Sequence, residues 1–235
     1  MKSIVEFLSG NPYPGRGILL GKTADGRALM AYFIMGRSEN SRNRVFTQKD
    51  GGIITEAFDP SKLTDPSLII YAPVRVFDWE TTIVTNGDQT DTVFDALVQK
   101  KTFEDALRTR TFEPDPPNFT PRISGLLKVN DGGMRYQLSI LKAGKNESPL
   151  RFFYDYAKPQ RGEGHFISTY VTDGKPLPSF TGEPVAVALG DEPIDSFTET
   201  LWNALDADNR VSLFVRTIDW ITDAVQTRIV NKHGN

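Results

Sequence analysis

The sequence predicts an α+β protein in which a few helices cover mostly antiparallel sheets. Short runs rich in β-branched and aromatic residues fill the first two-thirds of the chain. Gly, Asp, Asn or Pro residues bound these runs, and helical periodicity is confined to a few segments. No internal repeat or linker divides the 235 residues, so we expect residues 1–235 to form a single domain.

Ten runs are predicted to be strands because they are short, apolar and bounded by turn-forming residues. Asp25-Gly26 and residues 131–133 (DGG) lie between consecutive runs and are typical of hairpin turns, which indicates antiparallel pairing. The predicted strands are residues 17–22, 28–35, 53–57, 67–77, 80–85, 123–130, 134–142, 150–156, 165–172 and 184–188.

Helices are predicted at four places. Asp91 is expected to cap a helix that begins at Thr92, and residues 103–108 and 195–205 are expected to form two shorter helices. A longer C-terminal helix is predicted from apolar residues at intervals of three and four, with Trp220 off the main stripe. Such a helix could pack on its own sheet or on a second subunit, so a homo-oligomer is possible. The stripe consists of Phe214, Ile218, Ile221, Val225 and Ile229.

The composition excludes several classes of chemical site. The chain contains no cysteine, so disulfides, thiolate metal sites and cysteine nucleophiles are excluded. His165 and His233 are its two histidines, too few for a multi-histidine metal site, so no such site is expected. His165 follows Gly-Glu-Gly and is expected to be a strand or surface residue.

Charge and hydropathy favour a protein of the cytoplasm. The net charge is −3 and no long basic stretch occurs, which disfavours nucleic-acid binding. No run of about 18 apolar residues is present, so no membrane span is expected. Residues 1–8 lack the apolar core of a secretory signal, which leaves the cytoplasm as the expected compartment.

Positive charge is concentrated near the N-terminus. Residues 11–49 contain seven Lys or Arg residues and two acidic residues, although the whole chain is acidic. Most of these cations are arginines, whose planar guanidinium group can donate two parallel hydrogen bonds to a phosphate or carboxylate. The region therefore predicts a small anionic ligand.

Four polar blocks could supply the side chains for such a ligand. Each also has a simpler interpretation: an ordinary turn, a solvated loop, a turn with a helix cap, and a surface arginine, in chain order. Glycines in the first block permit tight turns with open amides, and a ligand at the third would meet a helix N-terminus. The blocks are residues 13–17 (YPGRG), 36–44 (GRSENSRNR), 85–91 (TNGDQTD) and 119–125 (FTPRISG).

Taken together, the order and spacing of these blocks resemble the archaeal-type IMP cyclohydrolase family and its bacterial relatives over about residues 10–230. The resemblance implies a four-layer αββα sandwich similar to that of the N-terminal-nucleophile hydrolases. It also implies an enzyme of purine biosynthesis that closes 5-formamidoimidazole-4-carboxamide ribonucleotide to IMP with loss of water. The expected partner is therefore a small purine ribonucleotide.

This reaction suits the side chains that the blocks offer. It needs a near-attack orientation, donors for the charge that develops on the formyl oxygen, and proton transfers, with no metal or redox cofactor. Asp88 is the expected proton acceptor, and Tyr71 is expected to stack on the imidazole carboxamide or donate to it. The expected catalytic residues are Arg42, Arg44, Tyr71, Asn86 and Asp88, and the expected substrate-binding residues are Arg16, Arg37, Ser41, Asn43, Gln89 and Arg122.

Two other functions remain open at this point. An amidohydrolase with an N-terminal nucleophile would share the fold, but Met1 is followed by the bulky Lys2, which disfavours its removal. A non-catalytic nucleotide sensor would keep the same arginines without turnover. The chain is also longer than compact archaeal members, with extra residues around 113–118 and 158–182 that could form a lid.

Overall fold

The computed structural model describes residues 1–234 and contains two seven-stranded, mostly antiparallel sheets. The five helices among these residues are α1 (Ile4–Leu8), α2 (Glu39–Arg42), α3 (Gln89–Val98), α4 (Phe103–Arg108) and α5 (Ile194–Ala204). The strands are β1 (Lys2–Ser3), β2 (Arg16–Lys22), β3 (Ala28–Met35), β4 (Arg44–Lys49), β5 (Gly52–Ala57), β6 (Val74–Val76), β7 (Thr81–Thr85), β8 (Arg122–Asn130), β9 (Gly133–Ala143), β10 (Pro149–Tyr156), β11 (Glu163–Ser168), β12 (Val185–Ala188), β13 (Arg210–Asp219) and β14 (Ala224–Asn231).

The first sheet has the strand order β1-β12-β11-β2-β3-β13-β14, and the second has the order β10-β9-β8-β7-β6-β5-β4. All neighbouring strands pair antiparallel except β1 and β12, which pair parallel. Short hairpins join β2 to β3 and β8 to β9, as the Asp-Gly sequences predict. The predicted α+β class with mostly antiparallel sheets is confirmed.

The main core lies between the two sheets. Ile18 and Leu20 of β2 and Tyr32 of β3 face residues of the second sheet such as Leu138 and Ile140. These positions alternate along each strand because successive side chains point to opposite faces. Helices cover the outer faces of the central strands, so these strands are buried on both sides, whereas the edge strands β10 and β14 contain no buried residue.

Helices pack on the outer face of each sheet. Helices α1 and α5 bury Leu8, Phe197 and Leu201 against the first sheet. Helices α3 and α4 bury Val93 and Leu107 against the second. Within residues 1–234, no helix is long and apolar enough to cross a membrane.

Eight of the ten predicted strands are confirmed to within one residue at either end. The other two are shorter than predicted: of residues 67–77 only Val74–Val76 forms a strand, and β11 ends at Ser168. Pro66 precedes the first of these segments and Pro73 lies within it, and the amides of Ile69 and Ile70 turn back to the Pro66 carbonyl. Strand β4 follows the arginine-rich block directly and was not predicted.

The predicted C-terminal helix is wrong, because the segment forms the antiparallel hairpin of β13 and β14. A spacing of four residues, as between Phe214 and Ile218, places side chains on one face of a strand as well as of a helix. Leu213 and Val215 pack toward α5 while Phe214 and Ile218 face the other sheet. Burial on both faces thus removes the alternation that identifies a strand.

The turn of this hairpin is built around Asp219. Its carboxylate accepts hydrogen bonds from the amides of Ile221 and Thr222, and Asp223 adopts a positive φ of 57°. Ile221, expected on the apolar stripe, is 82% exposed at the tip. The stripe therefore spans a turn and two strands.

The predicted cap at Asp91 is also wrong. Helix α3 begins at Gln89, so Asp91 lies in its first turn and binds Arg75 at 2.7 Å. The N-cap position belongs to Asp88, whose carboxylate binds arginines instead of the helix amides. The two shorter helices are confirmed as α4, which Thr102 caps, and α5.

The packing between the sheets predicts the effect of a core truncation. Leu138 of β9 is fully buried between the sheets, so Leu138→Ala should leave a cavity and lower the free energy of unfolding by about 2–5 kcal/mol. Leu150→Ala is the matched control, because Leu150 lies on the neighbouring strand β10 and is 40% exposed. We expect a loss below about 1 kcal/mol for this variant in urea denaturation. Equal losses for the two variants would contradict the described core.

Candidate active site

Strand ends from both sheets bring polar side chains together at one end of the sandwich. Arg16 is the first residue of β2, Arg44 of β4 and Arg122 of β8, while Asn86 directly follows β7. Tyr71, which precedes β6, lies close enough to Arg16 and Arg44 to act to raise the pKa of both. All four sequence blocks therefore contribute side chains to a single site.

Arg44 is a completely buried cation with an unsatisfied donor. Its Nε donates to the Ser41 carbonyl at 2.8 Å and its Nη2 to the Met35 carbonyl at 3.3 Å. Its Nη1 is buried without a hydrogen-bond partner. Burial, followed by the nearby charge of Arg16, lowers the pKa of Arg44. An anionic or carbonyl oxygen at Nη1 would relieve both effects.

Arg16 is buried in a different electrostatic setting. It is 8% exposed, and its Nε has no hydrogen-bond partner. Burial works to lower the pKa of Arg16, but the combined influence of Glu113, Tyr71, Tyr13 and Tyr170 raises it above the ordinary value. Arg16 therefore stays protonated and keeps a donor available for a ligand.

Glu113 is a buried carboxylate of this site. It lies in the proline-rich loop before β8 and is 2% exposed. Burial raises the pKa of Glu113 to about 7, although the charges of Arg16 and Arg122 act to lower it. Its Oε1 accepts a hydrogen bond of 3.4 Å from the Asn86 amide. A carboxyl group with this pKa can both accept and donate a proton near neutral pH.

Four tyrosines complete the walls around the arginines. The hydroxyl groups of Tyr32 and Tyr71 are 2.8 Å apart, and burial, followed by Tyr71, raises the pKa of Tyr32 well above its ordinary value. Tyr13 stacks on Tyr170 with ring centroids 6.0 Å apart. The Tyr170 hydroxyl lies 2.6 Å from the Thr120 hydroxyl, in the loop that carries the buried glutamate. The site therefore combines flat apolar surfaces with hydroxyl groups.

The polar residues at the start of α3 form a connected network. Nη1 of Arg122 donates to Oδ1 of Asp88 and to Oε1 of Gln89, each at 2.7 Å. The Gln89 amide donates to Oδ1 of Asn86 at 3.1 Å, which also accepts from the Ile123 amide. Each side chain is held by the next, so the network is rigid.

Asp88 is bound by two cations. Partial burial tends to raise the pKa of Asp88, but hydrogen bonds and charges from Arg110 and Arg122 lower it below its ordinary value. A carboxylate held in this way is a weak proton acceptor at neutral pH. Asp88 therefore fits the role of fixing Arg122 better than that of a catalytic base.

Three other predicted site residues hold the loop that precedes β4. Arg42 donates from Nε to the Gly36 carbonyl and from Nη2 to Oδ1 of Asn209, each at 2.9 Å. Asn43 exchanges hydrogen bonds with the backbone of Asp59. Ser41 completes a capping box with Ser38 at the start of α2. These contacts position Arg44, because Ser41 supplies the carbonyl that its Nε binds.

Arg37 connects the site to the loop over residues 158–182. It forms an ion pair with Asp173 and donates to the Gly174 carbonyl at 3.1 Å. Its guanidinium group also lies 5.0 Å from the centre of the Tyr13 ring. Gly15 is required nearby, because its φ is 79° and a Cβ atom would meet Thr169 at 2.3 Å.

Sequence reasoning missed Glu113 and the tyrosines at positions 13, 32 and 170 as site residues. Glu113 follows Phe112 in a loop without periodicity, and the sequence offers no sign of its burial. Tyr13 lies in the first polar block, and Tyr32 and Tyr170 lie in predicted strands, but none of the three was assigned a role in the site. Within residues 1–234, no group of three or more His, Asp or Glu side chains is arranged to hold a metal ion.

Glu113 should make folding stability depend on pH. In the unfolded chain the carboxyl group ionises near 4.5, whereas in the folded protein it ionises near 7. Between these values the unfolded chain binds fewer protons, so rising pH favours unfolding. As the pH rises through this range, the contribution of Glu113 to the free energy of unfolding should decline by about 3 kcal/mol. In chemical denaturation, the free energy of unfolding should decline less between pH 5 and pH 8 for Glu113→Gln than for the wild type.

Glu39→Gln is the control for this measurement. Glu39 lies on α2 with a side chain that is 80% exposed, so its variant should keep the wild-type dependence of stability on pH. An unchanged pH dependence in Glu113→Gln would show that Glu113 is not held in a buried, proton-binding state.

Comparisons with known proteins show the family to which this sequence belongs. Residues 13–223 match the family model described as IMP cyclohydrolase-like protein. The IMP cyclohydrolase of Methanopyrus kandleri is 32% identical over 162 residues, which cover 67% of this chain and 75% of that protein. The IMP cyclohydrolases of Methanococcus aeolicus and Methanocaldococcus jannaschii are each 29% identical over 53% of this chain, and the matches cover 62% and 61% of those proteins. Because the family model spans most of its length, the chain belongs to the family of IMP cyclohydrolase-like proteins.

Proposed function

We propose that this protein is an IMP cyclohydrolase, which closes 5-formamidoimidazole-4-carboxamide ribonucleotide to IMP and releases water. The observation that carries the proposal is the buried pair of Arg16 and Arg44, with unpartnered nitrogen atoms, beside a carboxyl group whose pKa is about 7. The names of the three relatives agree with this reaction. A purine ribonucleotide is accordingly the proposed small-molecule partner.

Glu113 has the properties that the proton transfers require. The carboxamide nitrogen attacks the formyl carbon and loses one proton, while the formyl oxygen becomes a hydroxyl group. That hydroxyl group then leaves as water together with the proton of the former formamide nitrogen, which forms the ring double bond. Ionised Glu113 can accept the first proton and return it to the leaving oxygen, since its pKa lies near the working pH.

The arginine pair can stabilise the charge that develops on the formyl oxygen. Negative charge on this oxygen grows as the carbon–nitrogen bond forms, and fixed donors in a buried site stabilise it more strongly than water does. Arg16 is the better candidate for this contact, because it lies close to Glu113 and its Nε is free. Nη1 of Arg44 offers a second contact to a substrate oxygen.

The remaining groups fit the binding and orientation of the nucleotide. Tyr71 and Tyr13 provide flat surfaces on which an imidazole ring could stack. Asn86 and Gln89 are fixed by the α3 network and could orient the carboxamide, whose nitrogen must approach the formyl carbon closely. Arg122 is held in place by Asp88 and serves as a further contact for the substrate.

A catalytic role for Glu113 predicts a specific kinetic change. Glu113→Gln should lower kcat by about 100-fold or more, with a KM within a few-fold of the wild type, because the amide cannot accept the proton. In the wild type, kcat/KM should rise with pH through about 7 and then level off, because this ratio reports the ionisation of the free enzyme and the carboxylate form becomes dominant. The measurement is metal-free conversion of the formamido ribonucleotide to IMP, followed against the uncatalysed rate.

The control for this assay is Arg228→Gln, on the edge strand β14, where Arg228 pairs with Asp195 outside the site. Its activity should equal that of the wild type. Tight IMP binding by the wild type without turnover would instead favour the alternative of a nucleotide sensor. Full activity in Glu113→Gln would assign the proton transfers to another group.

The two arginines of the second block should differ in their effect on binding. Arg44→Gln removes a buried donor from the site and should weaken IMP binding by about 100-fold. Arg42→Gln disturbs only the loop that positions Arg44 and should weaken binding by about 10-fold or less. Isothermal titration of both variants with IMP tests this order, and the reverse order would identify Arg42 as the ligand contact.

We also propose that residues 1–235 form one domain related to the N-terminal-nucleophile hydrolases. Support comes from the continuous core between the sheets and from helices on both outer faces. The cytoplasm remains the proposed compartment, and a homo-oligomer without nucleic-acid partners remains the proposed state. Light scattering of the purified protein would test the homo-oligomer.

A further inference from the structure

A second cleft lies at the other end of the sandwich. Its volume is about 540 Å³, and turns from both sheets line it, including Gly51, Trp79, Asp131 and Trp220. Strand β8 runs from the candidate active site at Arg122 to this end, and its nine residues span roughly 30 Å. The two sites are therefore separate.

Arg216 supplies a buried cation at the base of this cleft. Its position in β13 has the same parity as Phe214 and Ile218, so its side chain enters the space between the sheets. It is 5% exposed, and it donates to the Gly51 carbonyl and, at 3.3 Å, to the Thr227 hydroxyl. These neutral acceptors satisfy hydrogen bonds but do not balance the charge.

No ion pair neutralises Arg216 among residues 1–234. Burial alone lowers the pKa of Arg216 to about 10, which reflects the cost of a cation without a counter-charge. Buried charges in proteins are normally paired, because removing them from water is unfavourable. An anion in the cleft would supply the missing charge.

The walls of the cleft are largely apolar. Trp79 is 67% exposed and Val225 is 56% exposed, while Val129 forms part of the buried base. Trp220 is held by Lys22, whose ammonium group lies 5.3 Å from the ring centre. An exposed tryptophan, Trp79, and a partly buried one, Trp220, beside a cavity of this size are typical of a site for a small organic molecule.

Two aspartates restrict the charge of the ligand. Asp131 and Asp223 line the cleft and are exposed, so they lie toward its opening. Their charges are screened by solvent but would still disfavour a dianion such as a nucleotide phosphate. A single acid group that reaches buried Arg216 gains most from the pairing, since electrostatic interactions strengthen away from water.

We propose that this cleft binds an apolar carboxylate that carries one negative charge. Its acid group pairs with Arg216, and its aromatic or branched apolar body packs against Trp79 and Trp220. The cleft is independent of the nucleotide site.

The probe for this proposal is 2-naphthoate, with neutral 2-naphthol for comparison. Isothermal titration should show saturable binding of 2-naphthoate to the wild type. Arg216→Gln should weaken that binding by at least 10-fold and change 2-naphthol binding by less than about threefold, because only the charge pairing is removed. Trp79→Ala should weaken binding of both compounds, and the exposure of Trp79 makes this variant safe for folding.

Two controls separate this cleft from other surfaces. Arg135→Gln removes a half-exposed arginine of β9 and should leave 2-naphthoate binding unchanged. Saturating IMP should also have no effect. The proposal is overturned if the wild type does not bind 2-naphthoate, if IMP displaces the probe, or if either Arg216→Gln or Trp79→Ala binds it as tightly as the wild type.

Discussion

The buried pair of Arg16 and Arg44 is the constraint on which the candidate active site depends. Each is the first residue of a strand, so the fold holds their backbones fixed while their side chains are enclosed. Their like charges oppose each other, and burial adds a further cost. The protein offsets part of this cost with Glu113, with nearby phenol groups and with backbone carbonyls. The remaining unfavourable free energy lies in the buried nitrogen atoms without hydrogen-bond partners, Nε of Arg16 and Nη1 of Arg44. A ligand that accepts hydrogen bonds from these atoms gains the most binding free energy.

The same balance sets the state of Glu113. The charges of three arginines, Arg16, Arg122 and Arg44, act to lower the pKa of this carboxyl group, yet burial dominates and raises it to about 7. The network at the start of α3 contributes by directing the guanidinium group of Arg122 to Asp88 and Gln89, so that Arg122 acts on Glu113 through its charge and not through a hydrogen bond. If Arg122 were free to bind Glu113 directly, the carboxylate would be stabilised and would be a weaker base. The position of Asp88 thus bears on catalysis through the arginine that it holds.

Most strands, and the four polar blocks that meet at the candidate site, could be recognised in the sequence, because turn-forming residues and short apolar runs are local signals. The C-terminal hairpin could not, since Phe214 and Ile218 are four residues apart and both faces of β13 are buried. The roles within the arginine-rich block were equally hidden. Arg42 and Arg44 have similar neighbours in sequence, but Arg42 binds Asn209, which is distant along the chain. The importance of Glu113 depends on burial by residues far away in sequence.

The two ends of the sandwich use buried arginine in different ways. At one end, the guanidinium groups of Arg16 and Arg44 lie close to the carboxyl group of Glu113, whose pKa is about 7. At the other, Arg216 has only neutral acceptors, and tryptophans take the place of the polar network. The first arrangement suits a polar substrate on which protons must move. In the second, the carboxylates of Asp131 and Asp223 are exposed and not buried beside the arginine, which suits recognition of an apolar anion. A single pair of packed sheets can support both, because each site is built from the turns at its own end and the core between them stays apolar.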